Sequence, residues 1–126
     1  MISRLVLSTV LTSDFFKKLR TIRTNEALEE YYSEVLEELF DTLGLKFKRN
    51  KSTYPDYEFN TDDKLEVKST RTNRIKLNDT IPCPDVWYLV LLTSKDKFVM
   101  CRGSQLITDE ERQKLTKLKE IEALLV

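Results

Sequence analysis

Histidine is absent from all 126 residues. That absence excludes Ser-His-Asp and Cys-His nucleophilic arrangements, histidine-ligated zinc and histidine general-base chemistry. Cysteine is nearly as scarce. Cys83 and Cys101 can neither build a disulfide framework nor fill a zinc site alone. As reduced thiols they predict an intracellular, cytoplasmic protein. With 2 Gly and 3 Pro the chain is neither collagen-like nor low-complexity. Charged residues interrupt every apolar stretch well short of the roughly 18–20 residues that a membrane helix needs, so no membrane partner is expected. The opening MISRLVLSTVLTSDFFKK has one basic residue before a short apolar run and no small-residue cleavage site. It therefore reads as mature protein and not as a signal peptide. An excess of charge of either sign is missing too, with 21 Lys and Arg against 21 Asp and Glu.

What remains is 40% apolar and 33% charged, the balance of one globular domain over residues 1–126. Its chemistry must run on carboxylates, lysines, hydroxyls and a hard metal ion. Charge is unevenly spread. Residues 1–25 are basic, whereas Glu26, Glu29, Glu30, Glu34, Glu37, Glu38 and Asp41 follow without a basic partner before Leu43. Residues 44–80 are again mildly basic. A polyanion responds to such patches and not to the total.

Apolar residues recur at helical spacing from Asn25 to Leu43, with Asn25 as N-cap and Gly44 as stop. Leu45–Arg49, Tyr54–Asn60 and Lys64–Thr70 alternate as strands do. The last two are joined by the turn Asn60-Thr61-Asp62-Asp63. Val86–Leu92 is a continuous apolar run, expected to be a strand buried on both faces. Lys97–Cys101 is a further strand, and helical spacing returns from about Thr108. The predicted architecture is α/β, a central mixed β-sheet flanked by helices. Residues 1–24 form an N-terminal arm with a helix through Asp14–Arg20, placed at the periphery and suited to dimerisation. Residues 25–110 form the core, and 108–126 a C-terminal helix.

The chemistry concentrates in the hairpin. Side chains i and i+2 of a strand share a face, so Glu66 and Lys68 point the same way while Val67 turns into the core. Pairing through the Asn60–Asp63 turn brings Asp56 beside Glu66. Two adjacent carboxylates repel, and Mg²⁺ relieves that repulsion, because it takes oxygen ligands and accepts one or two carboxylates plus waters. The Val67 carbonyl can add a third oxygen. Lys68 beside such a cation would hold, orient or deprotonate a water that attacks phosphorus. The plainer alternative is a solvated hairpin face carrying a cross-strand ion pair. Glu58 shares the Asp56 face and is a weaker ligand candidate. On a helical wheel Glu29 sits at the edge of the apolar arc, Glu38 flanks the other edge and Glu34 lies outside, so Glu29 is the favoured helix acid.

Pro55-Asp56, nine residues and then Glu66-Val67-Lys68 resembles the PD-(D/E)xK motif of the restriction-endonuclease-like nucleases. The order of elements over roughly residues 25–110 is also similar to that family's core. The stretch Asn78-Asp79-Thr80-Ile81-Pro82, followed by Asp85-Val86-Trp87-Tyr88, is similar to the region after the catalytic strand in type II restriction enzymes. The polar loop 71–85 stands where the family has a second helix. The resemblance implies a restriction-endonuclease-like fold and Mg²⁺-dependent hydrolysis of DNA phosphodiesters, with Mn²⁺ able to substitute, leaving 5′-phosphate and 3′-hydroxyl ends. It implies a homodimer where both strands of double-stranded DNA are cut. Asp56, Glu66, Lys68 and a helix acid such as Glu29 would be catalytic, with Asp56, Glu66 and Val67 on the metal.

The loop after the catalytic strand interleaves Arg71, Arg74 and Lys76 with Asn73, Asn78, Asp79 and Thr80. Bases suit phosphates, and amides, carboxylates and hydroxyls suit base edges, so the loop is the expected DNA reader. Lys46, Lys48, Arg49 and Lys51 form a second basic stretch suited to backbone contacts. Trp87, Tyr88 and Phe98 are expected in the core, and both cysteines are structural. The expected activity is that of a small type II restriction endonuclease. A junction-resolving nuclease of the same fold, an RNA-cleaving member and a non-catalytic DNA-binding subunit are the alternatives.

Overall fold

The computed structural model describes residues 1–51, 53–71, 81–107 and 109–124. Three helices come first: α1 (Arg4–Ser8), α2 (Ser13–Thr21) and α3 (Asn25–Thr42). Then follow β1 (Phe47–Arg49), β2 (Tyr57–Phe59), β3 (Lys64–Thr70), β4 (Trp87–Leu92), a 3₁₀ turn (Thr93–Lys95) and β5 (Lys97–Arg102). Two helices close the chain, α4 (Gly103–Leu106) and α5 (Asp109–Leu124). The strands form one sheet in the order β1-β2-β3-β4-β5. All neighbours are antiparallel except β3 and β4, which run parallel with Leu65 opposite Trp87 and Thr70 opposite Leu92. The protein is thus α/β with a mixed sheet flanked by helices, as the residue pattern predicts. No described helix is long and apolar enough to cross a membrane.

The N-cap of helix α3 lies one residue earlier than expected. Thr24 is the N-cap, its Oγ1 accepting the Ala27 N–H at 3.2 Å. Its far end closes through Gly44 at φ 71°. The Gly44 N–H donates to the Asp41 carbonyl at 3.0 Å and the Leu45 N–H to the Phe40 carbonyl at 2.9 Å. This is a Schellman closure, and its left-handed residue favours glycine. One sheet face, carrying Tyr57, Phe59, Leu65, Val67, Leu89 and Leu91, packs on α2 and α3 in the main core. There the Phe40 ring lies edge-on to Phe47, Tyr57 and Phe59, centroids 5.0–5.4 Å apart.

The first 24 residues are not a peripheral arm. Leu7, Leu11, Phe15, Phe16 and Leu19 are all buried in that same core, so their apolar character is satisfied within the chain. The opposite face of β4 and β5 is covered by a smaller cluster of Val86, Tyr88 and Cys101, against which Cys83 and Leu106 pack. β4 is therefore buried on both faces, as its continuous apolar run requires. Cys83 and Cys101 are free thiols. Gly103 is there for space, because an added Cβ would collide with the Cys83 carbonyl.

Candidate active site at the fork between two strands

The ladder between β2 and β3 is short, pairing Tyr57 with Leu65 and Glu58 with Lys64. One residue further on the two strands part, and side chains take over from the backbone. Asp56 Oδ2 accepts the Val67 N–H at 2.9 Å, while Glu66 Oε1 accepts the Asp56 N–H at 3.2 Å. Each carboxylate thus satisfies a main-chain donor that the fork would otherwise leave unpaired. The N–H and C=O of one strand residue face the same edge. The Val67 carbonyl therefore faces the opening that Asp56 bounds, while the Val67 side chain is 4% exposed in the core.

The chain leaves the expected strand just before Asp56, and Asn50 holds both sides of that point. The Asn50 N–H donates to the Asp56 carbonyl at 2.8 Å. Its side-chain amide donates to the Pro55 carbonyl at 2.8 Å and to Glu58 Oε2 at 3.1 Å. Tyr54 is tied from the other side by a 2.6 Å hydroxyl–hydroxyl bond to Tyr88, the residue opposite Glu66 on β4. The strand is accordingly Tyr57–Phe59, not Tyr54–Asn60. Asp56 stands at its mouth on a backbone fixed from two directions.

The fork opens into a cavity of about 510 Å³, walled by α3 and β3. Glu29, Tyr32, Asp56, Glu66, Val67, Lys68 and Arg71 all line it. The structure thus brings together Asp56, Glu66, Val67, Lys68 and Glu29, which the resemblance assigns to catalysis and metal, with Arg71 of the expected DNA-reading loop. Lys68 Nζ lies 3.5 Å from Glu66 Oε2. Glu66 is 6% exposed, and its carboxyl is pushed up from 4.5 to about 8. Burial is the main cause, followed by a hydrogen bond to the Asp56 carboxyl and the Asp56 charge. Lys68 and the Asp56 N–H pull the other way. Tyr32 shares this environment. Burial raises its phenol well above the ordinary range, and the charges of Glu29, Asp56 and Glu66 add to the shift.

This donor set fits a hard divalent cation. It consists of oxygens only, and burial beside Asp56 makes ionising the Glu66 carboxyl costly, a cost that a bound cation would relieve. Two carboxylates and a carbonyl are what Mg²⁺ accepts alongside waters. Glu29 contributes to the wall and not to a cluster, since no three Asp, Glu or Cys side chains among the described residues converge on one point.

Other expectations fall elsewhere. Glu58 is absent from the cavity lining and bonds to Asn50. Arg49 is taken up internally, 3.4 Å from Glu37 and 3.6 Å from Glu30, with Glu37 also accepting from the Tyr57 hydroxyl at 3.1 Å. It is therefore not a free backbone-contacting base. Arg71 reaches back to donate to the Ile22 carbonyl at 2.9 Å. Asn73, Arg74, Lys76, Asn78, Asp79 and Thr80 lie outside the described residues. Asn50 and Tyr32 were not singled out from the sequence. Tyr32 could be read there only as one more apolar position of α3, and nothing local marks Asn50. No family model matches the chain, and comparisons with curated proteins and with solved structures matched none.

Proposed function

We propose that this chain is a Mg²⁺-dependent DNA endonuclease with a restriction-endonuclease-like fold. It would act as a type II restriction enzyme, a homodimer cutting both strands of double-stranded DNA at a specific sequence. The observation that carries the reading is the interlocked Asp56–Glu66 pair beside Lys68, at the mouth of a cavity in the PD-(D/E)xK arrangement. The parallel β3–β4 pair beyond an antiparallel hairpin supports it.

Asp56, Glu66 and the Val67 carbonyl would hold the cation, whose charge would stabilise the pentacovalent phosphorane as negative charge builds on its oxygens. Asp56 is the ligand held most firmly, because its other oxygen is committed to the Val67 N–H. Lys68 projects from β3 on the Glu66 face and would orient the attacking water and the phosphate oxygen it approaches. Water adds its oxygen to phosphorus and gives up a proton to solvent, the bond to the 3′ oxygen breaks, and that oxygen leaves as a hydroxyl with a proton from solvent. The products are a 5′-phosphate and a 3′-hydroxyl. Tyr32 and Leu28 wall the cavity from α3.

The test is cleavage of a plasmid and of a synthetic four-way junction, with Mg²⁺ or with EDTA. Discrete plasmid fragments are expected with Mg²⁺ and none with EDTA. Lys68→Ala and Asp56→Asn should each lower the rate by at least about a hundredfold, the scale of losing one transition-state electrostatic contact. Cutting confined to the junction would replace the restriction reading by junction resolution. Absence of Mg²⁺-dependent cutting of either substrate would overturn the nuclease reading.

A further inference from the structure

A second cavity, of about 290 Å³, adjoins the first and shares Asn25, Leu28, Ser69 and Arg71 with it. The two differ in charge. Glu29, Asp56 and Glu66 line the larger one. The smaller one has Arg23 and Arg71 in its wall and, among the described residues, no carboxylate. Nearby cations are already neutralised: Arg20 pairs with Asp96 and bonds the Thr93 carbonyl. Arg23 differs from it, holding no hydrogen bond or ion pair among the described residues. Arg71 commits one donor to the Ile22 carbonyl at 2.9 Å. That bond fixes its stem in the wall, and among the described residues the rest of the guanidinium fork holds no other partner and can meet a ligand.

We infer that this second cavity is a subsite for a backbone phosphate of bound DNA, gripped between Arg23 and Arg71 while a neighbouring phosphodiester lies at the Asp56–Glu66 fork. The inference rests on the nuclease reading and extends it to a residue, Arg23, outside the predicted reading loop. A strand laid along the joined cavities meets guanidinium groups at one end and a cation-binding carboxylate pair at the other. Guanidinium is the side chain best matched to phosphate, because its planar fork can bond two oxygens at once. The arrangement also meets an electrostatic need. The carboxylates of the larger cavity repel DNA, and adjacent arginines offset that repulsion at short range without altering a net charge of zero.

The experiment is fluorescence-anisotropy titration of a labelled DNA duplex with 5′-hydroxyl ends, so that only backbone phosphodiesters are offered. It is run in EDTA over a range of salt concentrations. Binding is thereby read without cleavage, and the outcome is independent of whether Lys68 and Asp56 act as proposed. Arg23→Gln and Arg71→Gln should each weaken binding about fivefold to tenfold and flatten the log–log salt slope by about 0.9, the signature of one lost phosphate contact. Arg23→Lys should retain most of the slope. Arg4→Gln, which removes the same charge from an exposed position lining neither cavity, should change neither quantity. Should Arg71→Gln unfold through loss of its Ile22 bond, Arg23→Gln alone decides. An Arg23→Gln titration that superimposes on that of Arg4→Gln overturns the subsite, as does wild-type protein that binds no duplex. Either result leaves the Mg²⁺ cleavage assay to judge the nuclease reading separately.

Discussion

Glu66 carries more of this protein's character than any other single residue. A carboxyl pushed up to about 8 from 4.5 binds its proton more tightly in the folded chain than in the unfolded one. The folded state therefore holds the extra proton between those two values. The stabilisation is complete below about pH 4.5 and drains away as pH rises through about 8. Metal-free protein should lose stability over that interval, and Glu66→Gln should remove the dependence. In EDTA the variant is expected to be more stable than wild type at pH 9, by on the order of 2–4 kcal/mol, with the difference shrinking at low pH. Lost attraction to Lys68 opposes this, but at 3.5 Å it is already outweighed by burial and Asp56. Parallel melting curves for the two proteins from pH 5 to 9 would show that Glu66 is not protonated when folded. On the proposed function the same proton would compete with the cation. Mg²⁺ should thus raise the melting temperature more at pH 8.5 than at pH 6.5, and Asp56→Asn should abolish the rise.

At the scale of elements, closure of α3 offers a clean test of backbone against packing. A Cβ at Gly44 would meet nothing within 4 Å, yet its φ of 71° disfavours any L side chain. Gly44→Ala should therefore cost about 1 kcal/mol through conformation alone, read as a lowered denaturation midpoint with an unchanged slope. An unchanged midpoint would mean that α3 ends differently in solution. This helix was legible in the sequence because eighteen residues of one period outweigh local ambiguity, with the cap misplaced only from Thr24 to Asn25. β4 was legible for the opposite reason, an unbroken apolar run that only a doubly covered strand can hide. The three-residue β2 was overread. Alternation continues through Tyr54–Asp56, but beyond Asp56 the Asn50 side chain takes the Pro55 carbonyl and the Tyr88 hydroxyl takes Tyr54, bonds that replace the ladder. The site divides the same way. Asp56, Glu66 and Lys68 follow from a local turn and a period of two, whereas Tyr32 and Asn50 join through tertiary packing that no local pattern encodes. α1 was missed because five residues are too few to establish a period.

For the molecule as a whole, the decisive segment is the one whose role was least visible. An apolar leader at the periphery would suit a dimerisation arm, and removing such an arm should release a folded monomer. Packing argues otherwise. Leu7, Leu11, Phe15, Phe16 and Leu19 are each at most 5% exposed, and Phe15 stacks on Tyr31 of α3 with ring centroids 5.5 Å apart. Arg20 ties the same segment to the turn after β4 through the Thr93 carbonyl at 2.8 Å. Burying one large apolar side chain is worth about 1.5–3 kcal/mol. Five of them therefore match the roughly 5–15 kcal/mol by which a whole domain is stable. A chain lacking residues 1–21 should fail to fold. Its near-ultraviolet circular dichroism should be lost, its thermal transition should vanish, and it should aggregate as Leu36, Leu39 and Phe40 of α3 become exposed. A truncated protein that stays soluble, melts cooperatively and runs as a monomer would restore the arm to the periphery. The single substitution Phe16→Ala, at a fully buried position, provides the graded version, with an expected loss of about 3–5 kcal/mol. That loss belongs to the core that carries β3, so substrate-independent Mg²⁺ binding at Asp56 and Glu66 should weaken in step with unfolding and not before it.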